Sequence, residues 1–116
     1  MKVLLVDDEP SLVQLLGQNL VRQGHTIESA GTVQEARERS GQGFDFALID
    51  WTLPDGSGLD VARELLELDP KVRVVFASGY PLDSTLMPVH LRTRVRVLQK
   101  PFLPRALAEL MNNWPL

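Results

Sequence analysis

The sequence predicts a doubly wound α/β domain built on a five-stranded parallel sheet. Three observations lead there. Short, nearly continuous apolar runs alternate with segments whose apolar residues recur at helical spacing. Strands that read as unbroken apolar runs are buried on both faces, which happens where helices cover both sides of a parallel sheet. The length, 116 residues, suffices for one hydrophobic core and not for two.

Each element follows in order. Lys2 to Val6 reads as a buried strand, closed by Asp7 and Asp8. Leu12, Val13, Leu15, Leu16 and Leu20 recur at helical spacing, and Gly24 marks the stop. A weaker strand covers Thr26 to Ser29. Thr32 caps the next helix with Glu35 three residues on, the spacing of a capping box. That helix runs to about Arg39 and is closed by Gly41 and Gly43. Phe44 to Ile49 is the third strand, ending at Asp50, and Leu53-Pro54-Asp55-Gly56 is a turn.

A helix over Gly58 to Leu68 carries Leu59, Val61, Ala62, Leu65, Leu66 and Leu68, and Asp69-Pro70 ends it. Val72 to Phe76 is the fourth strand, with Ser78-Gly79 just past its end. Val95 to Leu98 is the fifth, followed by Lys100-Pro101. The last helix, Pro104 to Asn112, carries Ala106, Leu107, Leu110 and Met111, and Pro115 stops it. Only the fourth unit departs from the pattern. Pro81 and Pro88 break it, because proline removes a helical donor and clashes with the preceding turn, so a short or irregular fourth helix is expected. With right-handed crossovers, five such β-α units wind both ways from the sheet centre.

Composition narrows the function. The chain is 44% hydrophobic and 23% charged, as an ordinary globular domain is and a disordered one is not. Its formal net charge of -3 supplies no electrostatic case for nucleic acid. No cysteine is present, which removes disulfides, thiolate metal sites and thiol nucleophiles. The apolar run Val3 to Val6 is too short for a signal core or a membrane span. The expectation is a cytoplasmic protein with no membrane contact. No stretch reads as linker, repeat or low-complexity sequence. No second domain pattern follows the last helix, which fits either a stand-alone domain or a segment of a longer protein.

In sheets of this kind the site lies beyond the carboxyl ends of the strands. The first strand ends in Asp7-Asp8, the third in Asp50, the fourth in Ser78 and the fifth in Lys100. Carboxylates about 5 Å apart at an effective dielectric of about 20 repel by roughly 3 kcal/mol per pair. Protonation or a cation must offset that, and a hard divalent ion, chiefly Mg²⁺, suits an all-oxygen donor set. Lys100 adds a fixed positive charge. A carboxylate such as Asp50 can attack phosphorus and form an acyl phosphate. Lys100 and the Ser78 hydroxyl would then share the phosphoryl oxygens with the cation, since phosphoryl transfer is mostly positioning and charge neutralisation.

Taken together, Leu4-Leu5-Val6-Asp7-Asp8-Glu9, Asp50 with Leu53-Pro54-Asp55-Gly56, Ser78-Gly79 and Lys100-Pro101-Phe102 resemble the receiver domains of two-component signalling. The resemblance spans essentially the whole chain, residues 1–116, with the motifs in order. It implies a flavodoxin-like (βα)₅ fold and a phosphorelay role. Asp50 would be the phosphoacceptor. Asp8 would ligate Mg²⁺ directly, Asp7 largely through water, and Asp50 and the Thr52 carbonyl would complete the protein's ligands. Ser78 would be the switch hydroxyl and Lys100 the partner of the phosphoryl oxygens, with a cis Lys100-Pro101 bond. The partners implied are a histidine kinase or histidine phosphotransfer domain, and a downstream protein or the kinase itself. The stretches Ala77 to Pro81 and Leu98 to Phe102 look most like receivers of hybrid sensor histidine kinases.

Two positions depart from the family. Val97 stands three residues before Lys100, where receivers usually carry Tyr or Phe, so the usual inward turn of a ring cannot couple site to output. Tyr80, two residues after Ser78, is placed to shield an acyl phosphate from water, and Thr52 bears on the same step. Trp51 is a natural fluorophore beside Asp50.

Other residues have simpler readings. Asp8 alone would serve partly as a helix cap and Asp50 alone as a turn residue. Ser78-Gly79 alone reads as a loop, and Lys100 alone as a surface lysine. His25 and His90 end no strand and read as surface residues. Arg92, Arg94 and Arg96 alternate, and a charged edge that discourages strand pairing accounts for them better than a docking stripe for an acidic partner. Leu12, Leu15 and Leu16 read as core before partner surface, and Trp114 as packing or a frayed end.

Rival functions are weaker. A phosphohydrolase of the haloacid-dehalogenase type would separate its two acids by one residue, whereas Asp7 and Asp8 are adjacent. A nucleotide or flavin module would need a Gly-rich loop after the first strand. The alternative kept open is a receiver-like interaction module that takes no phosphate.

Overall fold

The computed structural model describes residues 1–114. Pro115, expected to stop the last helix, lies outside them. Five parallel strands form the sheet: β1 (Lys2–Val6), β2 (Thr26–Ala30), β3 (Phe46–Asp50), β4 (Arg73–Ser78) and β5 (Val95–Gln99). Their spatial order is β2-β1-β3-β4-β5, all parallel, which places the switch point between β1 and β3. The helices are α1 (Pro10–Arg22), α2 (Val33–Arg39), α3 (Gly58–Leu68) and α4 (Pro104–Asn112).

The period of two along each strand divides the core. Leu4, Val6, Ala47, Ile49, Val74 and Phe76 face α2 and α3. Val3, Leu5, Phe46, Leu48, Val75 and Ala77 meet Leu16 and Leu20 of α1 and Leu107 and Met111 of α4. This two-sided burial is why the strands read as unbroken apolar runs.

Several expectations need correction. β3 runs Phe46–Asp50 rather than from Phe44, because Phe44 turns into the core ahead of the ladder. β4 extends to Ser78, which pairs with Gln99 and is therefore the last residue of the strand rather than a loop residue. The fourth crossover contains no α-helix among the described residues. It holds two short 3₁₀ turns, Ser84–Leu86 and Val89–Leu91. Pro88 interrupts any longer ladder, and Asp83 caps the first turn by accepting from the Thr85 N–H at 2.9 Å. Met87 and Leu91 nonetheless plug into the core. Leu15 and Leu68, counted as core from helical spacing, are more than half exposed at 52% and 62%. Leu16 is buried. Of the three alternating arginines only Arg96 lies in β5. Its guanidinium stacks over Trp114, 4.7 Å from the ring centre, while Arg92 bonds the Met87 carbonyl, so no stripe forms. Trp114 packs edge-on to Phe46. His90 is exposed, and His25 is partly covered beside the N-terminal amine.

One close approach sets the path out of β3. A Cβ on Gly58 would run into the Asp50 carbonyl oxygen and Ile49 Cγ2, so α3 can start against the end of β3 only with glycine there. Gly58→Ala is expected to cost about 2 kcal/mol, the scale of local overpacking. Urea denaturation checks this, and an unchanged midpoint would show that the approach relaxes freely.

Candidate functional site

Asp7, Asp8, Asp50 and Lys100 converge where β1, β3 and β5 end. One carboxylate oxygen from each of Asp7, Asp8 and Asp50 lies within 4.8 Å of the others. Lys100 Nζ donates to Asp7 Oδ2 at 2.8 Å and to Asp50 Oδ2 at 3.2 Å. The Asp7 and Asp50 side chains are only 9% and 13% exposed and that of Lys100 22%, so solvent screens these charges poorly.

Backbone geometry holds each group. The Asp7 N–H donates to the Ala30 carbonyl, tying the end of β1 to β2. Asp7 Oδ1 accepts from the Glu9 N–H at 2.9 Å, which turns the chain into α1. That bond corrects the reading of Asp8 as a cap. Among the described residues Asp8 makes no capping bond, and its exposed side chain brings a carboxylate oxygen close to those of Asp7 and Asp50. The Trp51 N–H donates to the Ala77 carbonyl at 2.9 Å, and the Lys100 N–H to the Ser78 carbonyl at 2.6 Å. These bonds carry the sheet register just past the strand ends. The Lys100–Pro101 bond is cis.

The charges interact as their burial dictates. Burial raises the Asp50 carboxyl above its ordinary value, and the Asp7 charge raises it further. The bond and charge of Lys100, and the Thr52 N–H, pull it back without cancelling the rise. Burial pulls the Lys100 ammonium down, but contact with Asp7 and then Asp50 outweighs it and leaves the group above its usual range. Lys100 is shared between two acids, so neither is fully neutralised. Three carboxylates against one ammonium leave negative charge in excess. The donors are all oxygen, with no His or Cys in the cluster. That set fits a hard divalent cation such as Mg²⁺.

Thr52 and Ser78 stand differently. The Thr52 N–H donates to Asp50 Oδ1 at 3.3 Å, and its side chain is exposed. Ser78 is buried, at 2% exposed, and its Oγ accepts from the Tyr80 N–H at 3.2 Å. Its hydroxyl is not hydrogen-bonded to Asp50 or Lys100. The Tyr80 ring is half-exposed, Val97 is partly buried against the core, and Trp51 packs edge-on to Phe76 with ring centres 5.1 Å apart. A groove of about 520 Å³ opens from Asp7 and Asp8 between α1 and the start of α2, past Val13, Gln14 and Thr32.

Sequence reasoning missed one residue of this region. Asp55, read as part of a turn, accepts from the Val33 N–H at 2.7 Å and the Gln34 N–H at 3.1 Å. The Val33 bond leads in holding its carboxyl below the ordinary range. The turn chemistry was visible, but the partner lies on a different helix and no local spacing points to it.

An acidic trio and a strand-end lysine at the carboxyl edge of a 2-1-3-4-5 sheet define a receiver-type module. The comparisons agree. The family model for the response regulator receiver domain matches residues 3–112. The response regulator protein PilR of Pseudomonas aeruginosa is 41% identical over 87 residues, which is 73% of this chain and 20% of PilR. A response regulator receiver domain protein (CheY-like) from Methanospirillum hungatei superimposes with a TM-score of 0.85 at 26% identity, over 96% of this chain and 90% of that one. A response regulator protein from Burkholderia pseudomallei, solved with a phosphorylated aspartic acid, a calcium ion and citrate, gives 0.81 at 26% identity, over 92% and 64%. The chain belongs to the response regulator receiver domain family of two-component signalling. It spans only about a fifth of the PilR relative.

The raised Asp50 carboxyl sets a pH signature. The folded state holds the Asp50 proton to higher pH than the unfolded chain does, so ionising it costs stability as pH rises through that range. In Mg²⁺-free buffer at neutral pH, Asp50→Asn is expected to raise Tm. The gain should shrink as pH falls far enough to protonate the wild-type carboxyl. Thermal melts across pH 3 to about 8 read this directly. A lower Tm for Asp50→Asn at pH near 7 would mean that the Lys100 contact outweighs burial and the Asp7 charge.

Proposed function

We propose that this chain is the phosphoacceptor receiver of a phosphorelay, taking a phosphoryl group on Asp50 from the phosphohistidine of a histidine kinase or phosphotransfer domain in an Mg²⁺-dependent reaction. The observation that carries the reading is the placement of Lys100 Nζ between the Asp7 and Asp50 carboxylates, with Asp8 beside them. The whole chain, 1–116, is one such domain.

Asp7, Asp8, Asp50 and the Thr52 carbonyl would hold the cation. When bound, Mg²⁺ supplies charge neutralisation between these acids and the phosphoryl oxygens. Asp50 acts as an ionised nucleophile. One of its oxygens forms the new P–O bond as the P–N bond to the donor imidazole breaks, and the imidazole leaves with the electron pair and takes up a proton. The Lys100 ammonium is already within reach of Asp50 Oδ2 and balances the charge the incoming group adds. The Ser78 hydroxyl, whose oxygen accepts from the Tyr80 N–H, turns to donate its O–H to a phosphoryl oxygen, and the loops after β3 and β4 move with it. Phosphorylation thus biases a pre-existing two-state equilibrium. Val97 leaves no ring at the usual coupling position, so output runs through those loops. The hybrid-kinase resemblance makes the domain's own kinase one candidate partner.

The test is incubation with Mg²⁺ and acetyl phosphate or beryllofluoride, followed by Trp51 fluorescence and intact mass. Wild type is expected to gain one phosphoryl group and a saturable fluorescence change, both abolished in Asp50→Asn and in EDTA. Lys100→Ala is expected to slow labelling by about 100-fold or more, as loss of a charge-stabilising contact does. Absence of Mg²⁺ binding together with absence of label on Asp50 would leave the chain as a receiver-like interaction module.

A further inference from the structure

The segment after Asp50 is a small hairpin, Thr52–Leu53 paired antiparallel with Gly56–Ser57. Two residue pairs cannot hold such a ribbon by themselves. Its base is tied by the Gly58 N–H to the Trp51 carbonyl at 2.9 Å. Its tip is tied elsewhere, to the start of α2. Asp55 spends both carboxylate oxygens there, Oδ1 on the Val33 N–H at 2.7 Å and Oδ2 on the Gln34 N–H at 3.1 Å. Beside it, Gly56 sits so close to Val33 that a Cβ would stand 3.1 Å from Val33 Cγ2, and Val33 is itself buried.

The first N–H groups of a helix have no partner within it. In α2 the Thr32 hydroxyl takes the Glu35 N–H at 3.0 Å, and Asp55 takes the two before it. The helix start is therefore satisfied only when the hairpin tip is docked. The same hairpin carries the Thr52 peptide, whose N–H reaches Asp50 Oδ1.

We propose that Asp55 is a positioning residue for the Asp50 site. By clamping the hairpin tip to α2 it fixes the Thr52 peptide, and with it the geometry in which Thr52 and Asp50 serve the cation and the phosphoryl group. The inference rests on the Mg²⁺-dependent reading above. It sets Asp55 apart from Thr32, whose side chain caps the same helix by accepting from the Glu35 N–H rather than by a bond that ties the hairpin to it.

The experiment compares Asp55→Ala, Asp55→Asn and Thr32→Ala in the full chain. Mg²⁺ affinity is read from Trp51 fluorescence and calorimetry, and the limiting labelling rate from acetyl phosphate at saturating Mg²⁺. Both alanine variants remove an α2 cap and are expected to lower Tm. Asp55→Ala is expected to weaken Mg²⁺ by about tenfold, the scale for losing a group that orients a ligand. Thr32→Ala should leave Mg²⁺ affinity unchanged, and Asp55→Asn, which keeps one acceptor, should fall between. An Asp55→Ala affinity equal to wild type, or a Thr32→Ala loss as large as that of Asp55→Ala, would overturn the proposal. If Asp55→Ala does not fold, Asp55→Asn against Thr32→Ala decides by the same criterion. Wild type that neither binds Mg²⁺ nor takes label would sink the phosphorelay reading and this inference with it. A responsive wild type matched by its Asp55 variants would sink this inference alone.

Discussion

A single ammonium holds together two carboxylates that the sheet forces into one crevice. Lys100 leaves the end of β5 and reaches Asp7 at the end of β1 and Asp50 at the end of β3. It can do so only because all three strands run parallel and stop at the same level. The register is strict. A slip of one residue in β5 would turn Val95 and Val97 to the opposite face of the sheet and carry Lys100 out of reach. The apolar period of the strands and the polar site beyond their ends are therefore one constraint. The core sets the register, and the register sets the charge cluster.

That cluster is left short of positive charge. The buried acids are not satisfied by Lys100 alone, which is visible in the direction Asp50 shifts. A protein optimised only for stability would have fewer acids there. An all-oxygen cluster with excess negative charge fits a hard cation, and stability given up at such a place is a common cost of function. Around it the backbone is pinned at several points: Asp7 to Ala30, Trp51 to Ala77, Lys100 to Ser78 and Gly58 to Trp51. The acids face a fixed frame, and the Ser78 hydroxyl and the hairpin after Asp50 are joined to it by a few side-chain bonds, Ser78 to the Tyr80 N–H and Asp55 to the Val33 and Gln34 N–H groups.

Much of this was legible beforehand. The β1 strand, the helices α3 and α4, and the convergence of Asp7, Asp8, Asp50 and Lys100 follow from apolar periodicity and from which residues end strands. The Thr32 cap was also legible, because its acceptor and donor lie three residues apart. Local patterns failed where the deciding contact was distant. Asp55 looked like a turn residue because its partners, Val33 and Gln34, belong to another crossover. Leu15 looked like core because spacing assigns a helix face without saying how wide the neighbouring surface is. The arginines were read as sharing one side of the last strand because they alternate, although only Arg96 lies within it. Ser78 was placed past a strand it in fact completes, since Ala77 and Ser78 carry a weaker apolar signal than Val74 to Phe76.

The fourth crossover has a consequence of its own. Two 3₁₀ turns carry few backbone bonds, and the segment is moored mainly by the side chains of Met87 and Leu91. Those two side chains, with Leu82 packed beside them, are what joins the stretch between Pro81 and Arg94 to the face of the sheet. In a cell, where degradation begins at whichever segment opens first, the peptide bonds of this stretch are the ones a protease reaches. Resistance to cleavage in this stretch would then rest on how firmly two apolar side chains stay seated in the core.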